Sequence, residues 1–231
     1  MIPRRRPSCA KPCDAGRVAA FTDRSDAGRR LVEPVRAVLP AGRPVTVVGL
    51  PRGGIVVGAA LVQGLRAAGW TARLDLVVVA KVLAPEHPEL ALGAVTASVT
   101  VRSEVACQVA GVGDARFAAL TADARRRLAA RTGALPAAGS LPDGPALLVD
   151  DGLATGSTVE AGVAEVRAGE PSWLGLAVPV ADATAWSRVR PLVDAGVTLV
   201  LRDPMRAVSV DYAAFPQLAD DVVRAALARC R

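Results

Sequence analysis

Apolar residues along this chain fall into two alternating patterns. Short, nearly continuous runs occupy Val45 to Leu50, Leu74 to Ala80, Ala146 to Val149, Trp173 to Val180 and Val197 to Leu201. Runs of this length, bounded by Gly, Pro or Asp, predict strands buried on both faces. Between them the apolar spacing suits helices. Ala27, Leu31, Val35 and Val38 share one face of a first helix, capped by Thr22 or Asp23 and broken or kinked at Pro34. Ile55 to Val62, Ala122 to Arg131, Val159 to Val166, Ala185 to Val193 and Val222 to Leu227 predict further helices. The alternation predicts an α/β fold with a mostly parallel central sheet and helices on both faces. Trp173 to Val180 is read as closed by Pro179 and Asp182, and Ala134 to Gly144 as a connector. Pro85 and Pro88 predict a loop before Leu90 to Val95 resumes an apolar run. Thr96 to Ala119 has only an alternation at Val99, Val101 and Val105, then Gly111 and Gly113.

Composition narrows this picture. The chain has 231 residues, 52% of them hydrophobic and only 3% aromatic. A core of Val, Leu and Ala suits a parallel sheet covered by helices. Residues 1–20 open with a Pro-, Arg- and Cys-rich stretch and read as a disordered basic tail, with 21–231 as one domain. The net charge is +6, carried almost wholly by arginine, since Lys11 and Lys81 are the only lysines. That balance suits a polyanionic ligand; the lack of interleaved aromatic and basic residues argues against nucleic acid. Cys9, Cys13, Cys107 and Cys230 accompany a single histidine, His87, which argues against a structural zinc site. Scattered thiols suggest a reducing, cytoplasmic compartment. Arg4 to Arg6 are not followed by an apolar segment, and no apolar run reaches membrane-spanning length.

The richest chemistry lies in Leu147 to Thr158, LLVDDGLATGST. A buried strand ends in Asp150 and Asp151, and a hydroxyl-rich turn opens a helix. Free N–H groups at a helix N-terminus attract phosphate. Two acids a few ångströms away suit a sugar diol or a hydrated Mg²⁺. A ribose 5-phosphate has both parts. The loop lacks the Gly-Lys-Ser/Thr of a P-loop and the GxGxxG of a dinucleotide site. Pro51, Arg52, Gly53 and Gly54 form a second strand-turn-helix junction, readable as a tight turn or as a loop that lets its backbone approach a ligand. Lys81 falls after the Leu74 to Ala80 run, either solvated or aimed into the same crevice.

These strings resemble a family. VDDGLATGST looks like the 5-phosphoribosyl 1-diphosphate (PRPP) motif of type I phosphoribosyltransferases. The resemblance implies that Asp150 and Asp151 hold the ribose and stand near the charge that develops in catalysis. It implies that Ala154, Thr155, Gly156, Ser157 and Thr158 cradle the 5-phosphate. PRGG is similar to the diphosphate loop, which implies diphosphate binding by Arg52, Gly53 and Gly54 together with Lys81; some members hold a non-proline cis peptide there. FTDRSDAGRRL and APEHPELALGAV are similar to strings of a bacterial subgroup. Asp211 and Tyr212 loosely resemble a segment beside the base in purine enzymes, although a packed edge of the domain is the slightly favoured reading. The implied fold adds a small hood over the crevice, with a mobile loop somewhere in 96–119.

The implied activity is transfer of a 5-phosphoribosyl group from PRPP to a nitrogen acceptor, with a purine favoured. Diphosphate is released and Mg²⁺ is the cofactor, held by Asp150 and Asp151 through water. A homodimer is compatible with this reading. The alternative is a PRPP or nucleotide sensor that uses the fold without chemistry.

Overall fold

The computed structural model describes residues 19–135 and 143–231, so most of the expected basic tail and of the connector lies outside the described residues. The chain opens with α1 (Arg24–Arg30) and α2 (Val32–Arg36), followed by β1 (Val45–Gly49), α3 (Gly53–Ala67) and β2 (Ala72–Leu76). A second unit follows: β3 (Ala80–Ala84), β4 (His87–Val95), β5 (Thr100–Arg102), α4 (Glu104–Val109) and α5 (Asp114–Ala134). The chain returns through β6 (Pro145–Val149), α6 (Ser157–Ala168), β7 (Trp173–Asp182), α7 (Ala183–Val189), β8 (Ala195–Arg202) and α8 (Asp220–Cys230).

The main sheet has five parallel strands in the order β2-β1-β6-β7-β8. Every residue of β1 and β6 is buried, as the continuous apolar runs require. Alternate side chains feed two cores. Val47, Leu147 and Val149 pack with Ile55, Leu61 and Leu65 of α3 on one face. Val48, Ala146 and Leu148 pack with Val159, Val163 and Val166 of α6 on the other. Because α3 and α6 leave adjacent strands toward opposite faces, their connecting loops part over the carboxyl ends of β1 and β6. That divergence makes a crevice, the usual ligand position in open parallel sheets.

Several boundaries differ from the sequence expectations. The Leu74 to Ala80 run is not one strand. β2 ends at Leu76, and Val77 to Val79 cross, buried, into the antiparallel hood β3-β4-β5. Burial between two units gives the same apolar signal as burial within a sheet. Lys81 is therefore the second residue of hood strand β3, not the end of β2. The proline loop is only a turn at 85–86, since β4 begins at His87. Pro179 lies inside β7, where pairing with β8 skips from Val178 to Val180. The unreadable 96–119 region holds β5, α4 and the first turns of α5.

Other details follow the sequence. Asp23 caps α1 by accepting from Asp26 N at 2.8 Å. The first helix breaks at Leu31, three residues before Pro34. Pro34 cannot donate to the Arg30 carbonyl one turn earlier, so the helix divides there. The hood is tied to the body by Glu165 of α6. Its buried carboxylate accepts from Thr96 Oγ1 at 2.5 Å, Ser98 Oγ at 2.6 Å and Ser98 N at 3.2 Å. Three donors to one carboxylate oxygen offset the cost of burying its charge.

Candidate functional site at the crevice

The chain leaves β6 at Val149 and turns through 150–156 before α6. Asp150 Oδ1 accepts from the Asp151 amide at 2.9 Å, closing the first bend. Leu153 then bridges to β7: its N–H donates to Val180 O at 2.9 Å, and it accepts from Asp182 N at 2.8 Å. Gly156, at φ +85°, makes the left-handed step that a side chain resists. It also caps α6, and no side chain caps the helix there. The first-turn N–H groups are thus left for a ligand. Thr155 Oγ1 and Ser157 Oγ lie 3.2 Å apart. Arg188 of α7 clamps this turn, donating to the Thr155 carbonyl and pairing with Glu160.

Most of the predicted phosphate and ribose residues share one cavity. Asp150, Ala154, Thr155, Gly156 and Thr158 line a 190 Å³ space together with Lys81 from the hood and Val208 from the 208–211 turn. Lys81 thus reaches the crevice from above rather than from the sheet. Ser157 faces the other side of the turn. It lines a larger, 590 Å³ cavity with Thr155, Arg188 and the apolar Leu90, Val105, Ala106 and Val109.

The PRGG junction packs against the acid pair. The Pro51–Arg52 peptide is cis. A Cβ on Gly53 would stand 1.8 Å from Asp151 Oδ2, and one on Gly54 2.4 Å from Val149 O. These glycines let the N-terminus of α3 touch the acids. The Arg52 side chain turns to the C-terminal segment. Its Nε lies 2.9 Å from Asp220 Oδ1, and it donates to Leu218 O at 2.7 Å.

Asp211 and Tyr212 are both buried. Asp211 pairs with Arg202, its oxygen 2.9 Å from Arg202 Nε. This partner raises the Arg202 pKa above the ordinary arginine value. Tyr212 donates from its hydroxyl to Asp151 O at 2.6 Å. Its ring lies 5.3 Å from Phe21 and 5.0 Å from Phe215. Burial, and then the Asp151 charge, push the Tyr212 hydroxyl pKa up, so it remains a donor. Both residues are packed into the edge of the domain: Tyr212 braces the acid loop through Asp151 O, and Asp211 is held by Arg202 and the Phe21 amide. Phe21, read as a packing residue, is 1% exposed and pairs by backbone with the same segment.

The two acids differ electrostatically. The Asp150 carboxyl is pushed well above the usual carboxylate range, first by burial and then by the charge of Asp151; Lys81 and Arg24 oppose the shift. Asp151 is paired with Arg24, Nε to Oδ2 at 2.7 Å. Sequence reasoning missed Arg24, Arg188 and Glu165. Each is a single charge on a helix whose partner lies at least 28 positions away, at Asp151, Glu160 and the 96–98 turn respectively. Periodicity carries no signal for such pairs.

The donor set suits a cation that brings most of its ligands with it. Among the described residues no three His, Cys, Asp or Glu side chains cluster as a cage. One or two carboxylates beside an uncapped helix N-terminus fit Mg²⁺, an ion that keeps waters and takes phosphate oxygens from a bound ligand. No helix among the described residues is long and apolar enough to cross a membrane.

Comparison with known proteins identifies the family. The model of the phosphoribosyl transferase domain matches residues 25–214. A Mycobacterium tuberculosis protein, named "Putative phosphoribosyl transferase" in each of two strains, is 34% identical over 217 residues. That alignment covers 90% of this chain and 46% of the relative, so the chain spans about half the length of the curated relatives it matches. The crystal structure of TT1426 from Thermus thermophilus is 34% identical and superposes with a TM-score of 0.68, covering 91% of this chain and 98% of that one. With a family match over most of its length, a five-stranded parallel sheet and a small antiparallel hood, the chain belongs to the phosphoribosyltransferase family.

Proposed function

We propose that this chain binds PRPP in the crevice and transfers its 5-phosphoribosyl group to a nitrogen acceptor, releasing diphosphate. The observation that carries the reading is the 190 Å³ cavity, where a helix N-terminus, Asp150 and Lys81 converge from three separate elements. The 5-phosphate is held by the backbone N–H groups at 155–158, with Arg188 fixing the turn from outside. Asp150 accepts from the ribose hydroxyls and lies near the positive charge that develops on the sugar. Lys81 supplies a cation on the hood side. Catalysis of this kind is mostly positioning and electrostatic stabilisation. Mg²⁺, held through water by Asp150 and bound to the diphosphate, would add positive charge to the leaving group. Asp151 is a supporting acid in this reading, since its oxygen is taken by Arg24.

Asp211 is engaged by Arg202 and Tyr212 by the Asp151 carbonyl, so in this reading they supply no basis for choosing a purine over other acceptors. In this reading the PRGG backbone, packed beside the acids, supports diphosphate binding. Arg52 would have to leave Asp220 to contribute its guanidinium. That pairing favours the second reading, a PRPP sensor that does not complete the diphosphate site.

One experiment separates the two. The protein is mixed with PRPP, Mg²⁺ and a panel of purines, pyrimidines, pyridine carboxylates and simple amines; diphosphate release and new nucleotide mass are followed together. One acceptor is expected to rise clear of the hydrolysis background. Tight PRPP binding with no product from any acceptor would select the sensor, and absence of PRPP binding would overturn both readings.

A further inference from the structure

The FTDRSDAGRRL string has no ligand role in the reading above, yet nearly every position of it is engaged. Phe21 pairs by backbone with Tyr212, and Asp23 caps α1. Gly28 lets α1 close onto α3, where a Cβ would meet Val57 O at 2.4 Å. The result is a short helix held rigidly at both ends. Arg24, its first residue, extends from it to the crevice.

Arg24 is fixed from three sides. Its Nε lies 2.7 Å from Asp151 Oδ2, its NH1 donates to Pro216 O at 2.9 Å, and its guanidinium stacks 3.6 Å from the Phe215 ring centroid. The side chains of Arg24 and Asp151 are 9% and 17% exposed. A planar fork with an aromatic lid is an arrangement that lysine cannot reproduce. Asp151 is confined in turn, because the same Oδ2 sits where a Cβ of Gly53 would be. Asp150 lines the cavity with Lys81, whereas Asp151 is not among the residues that line it. Arg24 precedes the 25–214 segment that matches the family model.

The geometry points to Arg24 as a positioning residue that neutralises Asp151 and turns it away from the ligand, leaving Asp150 as the acid that faces the sugar. The proposal rests on the ribose reading of the cavity. Without Arg24, two adjacent carboxylates would share a poorly solvated site beside a polyanionic ligand. Their repulsion would act on the ligand's phosphates and on each other.

Second-site rescue provides the test. Arg24→Met is expected to weaken PRPP binding about tenfold or more by calorimetry with Mg²⁺, and to lower the thermal midpoint of the ligand-free protein. Asp151→Asn, added to Arg24→Met, is expected to recover both quantities toward wild type, because it removes the charge left unbalanced. Arg24→Lys should fall between. A merely structural arginine predicts the reverse, with the double variant no better than Arg24→Met in midpoint or affinity, and that result would overturn the proposal. If the wild type itself fails to bind PRPP, the ribose reading falls. The ligand-free midpoints then still decide whether Arg24 exists to balance Asp151.

Discussion

The two loops at the crevice share a plan and use it differently. Each leaves a buried parallel strand, passes through glycine and opens a helix on one face of the sheet. In the loop after β6, Gly156 serves the turn itself, and the N–H groups and Asp150 remain open to a cavity. In the loop after β1, Gly53 and Gly54 serve contact. They bring the backbone against Asp151, Asp150 and Val149 so closely that no side chain fits between. On the proposed reading the first loop presents groups to a ligand, and the glycines of the second also buttress its acids.

The largest expected effect comes from removing the presented acid. Asp150→Asn should weaken PRPP binding by about 10- to 100-fold, the loss of one or more charge-assisted hydrogen bonds at roughly 1.5–3 kcal/mol each. Asp151→Asn should cost less, because Asp151 already spends an oxygen on Arg24. Calorimetric titration of both variants with PRPP and Mg²⁺ checks the order. Equal losses would erase the distinction drawn between the two acids.

The buttress is tested at Gly53. A methyl group there must displace the Asp151 carboxylate, so Gly53→Ala should cost roughly 1–3 kcal/mol of stability, as overpacking does. The strain passes to the acid pair. Affinities for ribose 5-phosphate and for diphosphate should then fall by similar factors. A loss confined to diphosphate would show instead that Gly53 touches the ligand, and the two loops would become equivalent.

The sequence made the parallel body legible because burial on both faces produces runs that need no partner to interpret. β1, β6, β7 and β8 and their helices lie within a few residues of their expected places. The strand-turn-helix form of 147–158 was legible because its pattern is local to twelve residues. The hood was not. Val77 to Val79 are as apolar as a strand although they only cross between units, and β4 carries Pro88 at its start. The supports of the site were also hidden. Arg24 finds Asp151 at a separation of 127 residues and Thr96 finds Glu165 at 69, pairings that only the closed fold defines.

The smallest effect concerns stability and runs opposite to function. Burial and the neighbouring Asp151 hold the Asp150 carboxyl above its ordinary range, so its folded-state pKa exceeds the unfolded value of about 3.9. Below that value both states keep the proton and the group costs nothing. As pH rises through the folded-state pKa, the unfolded chain binds fewer protons than the folded one, and stability falls. An asparagine at this position has no proton to lose. Without ligand or divalent ion, Asp150→Asn should therefore match the wild type near pH 4 and exceed it increasingly toward pH 7.5. A difference of about 1 kcal/mol there would appear as roughly 2–4 °C in thermal midpoint for a chain of this size. Thermal scans across that pH range supply the check, repeated with PRPP and Mg²⁺, which should raise the midpoint of the wild type more than that of the variant. A variant less stable than the wild type by the same amount at every pH would mean that Asp150 is held by favourable contacts in the empty crevice. The strain that marks it as the presented acid would then be absent.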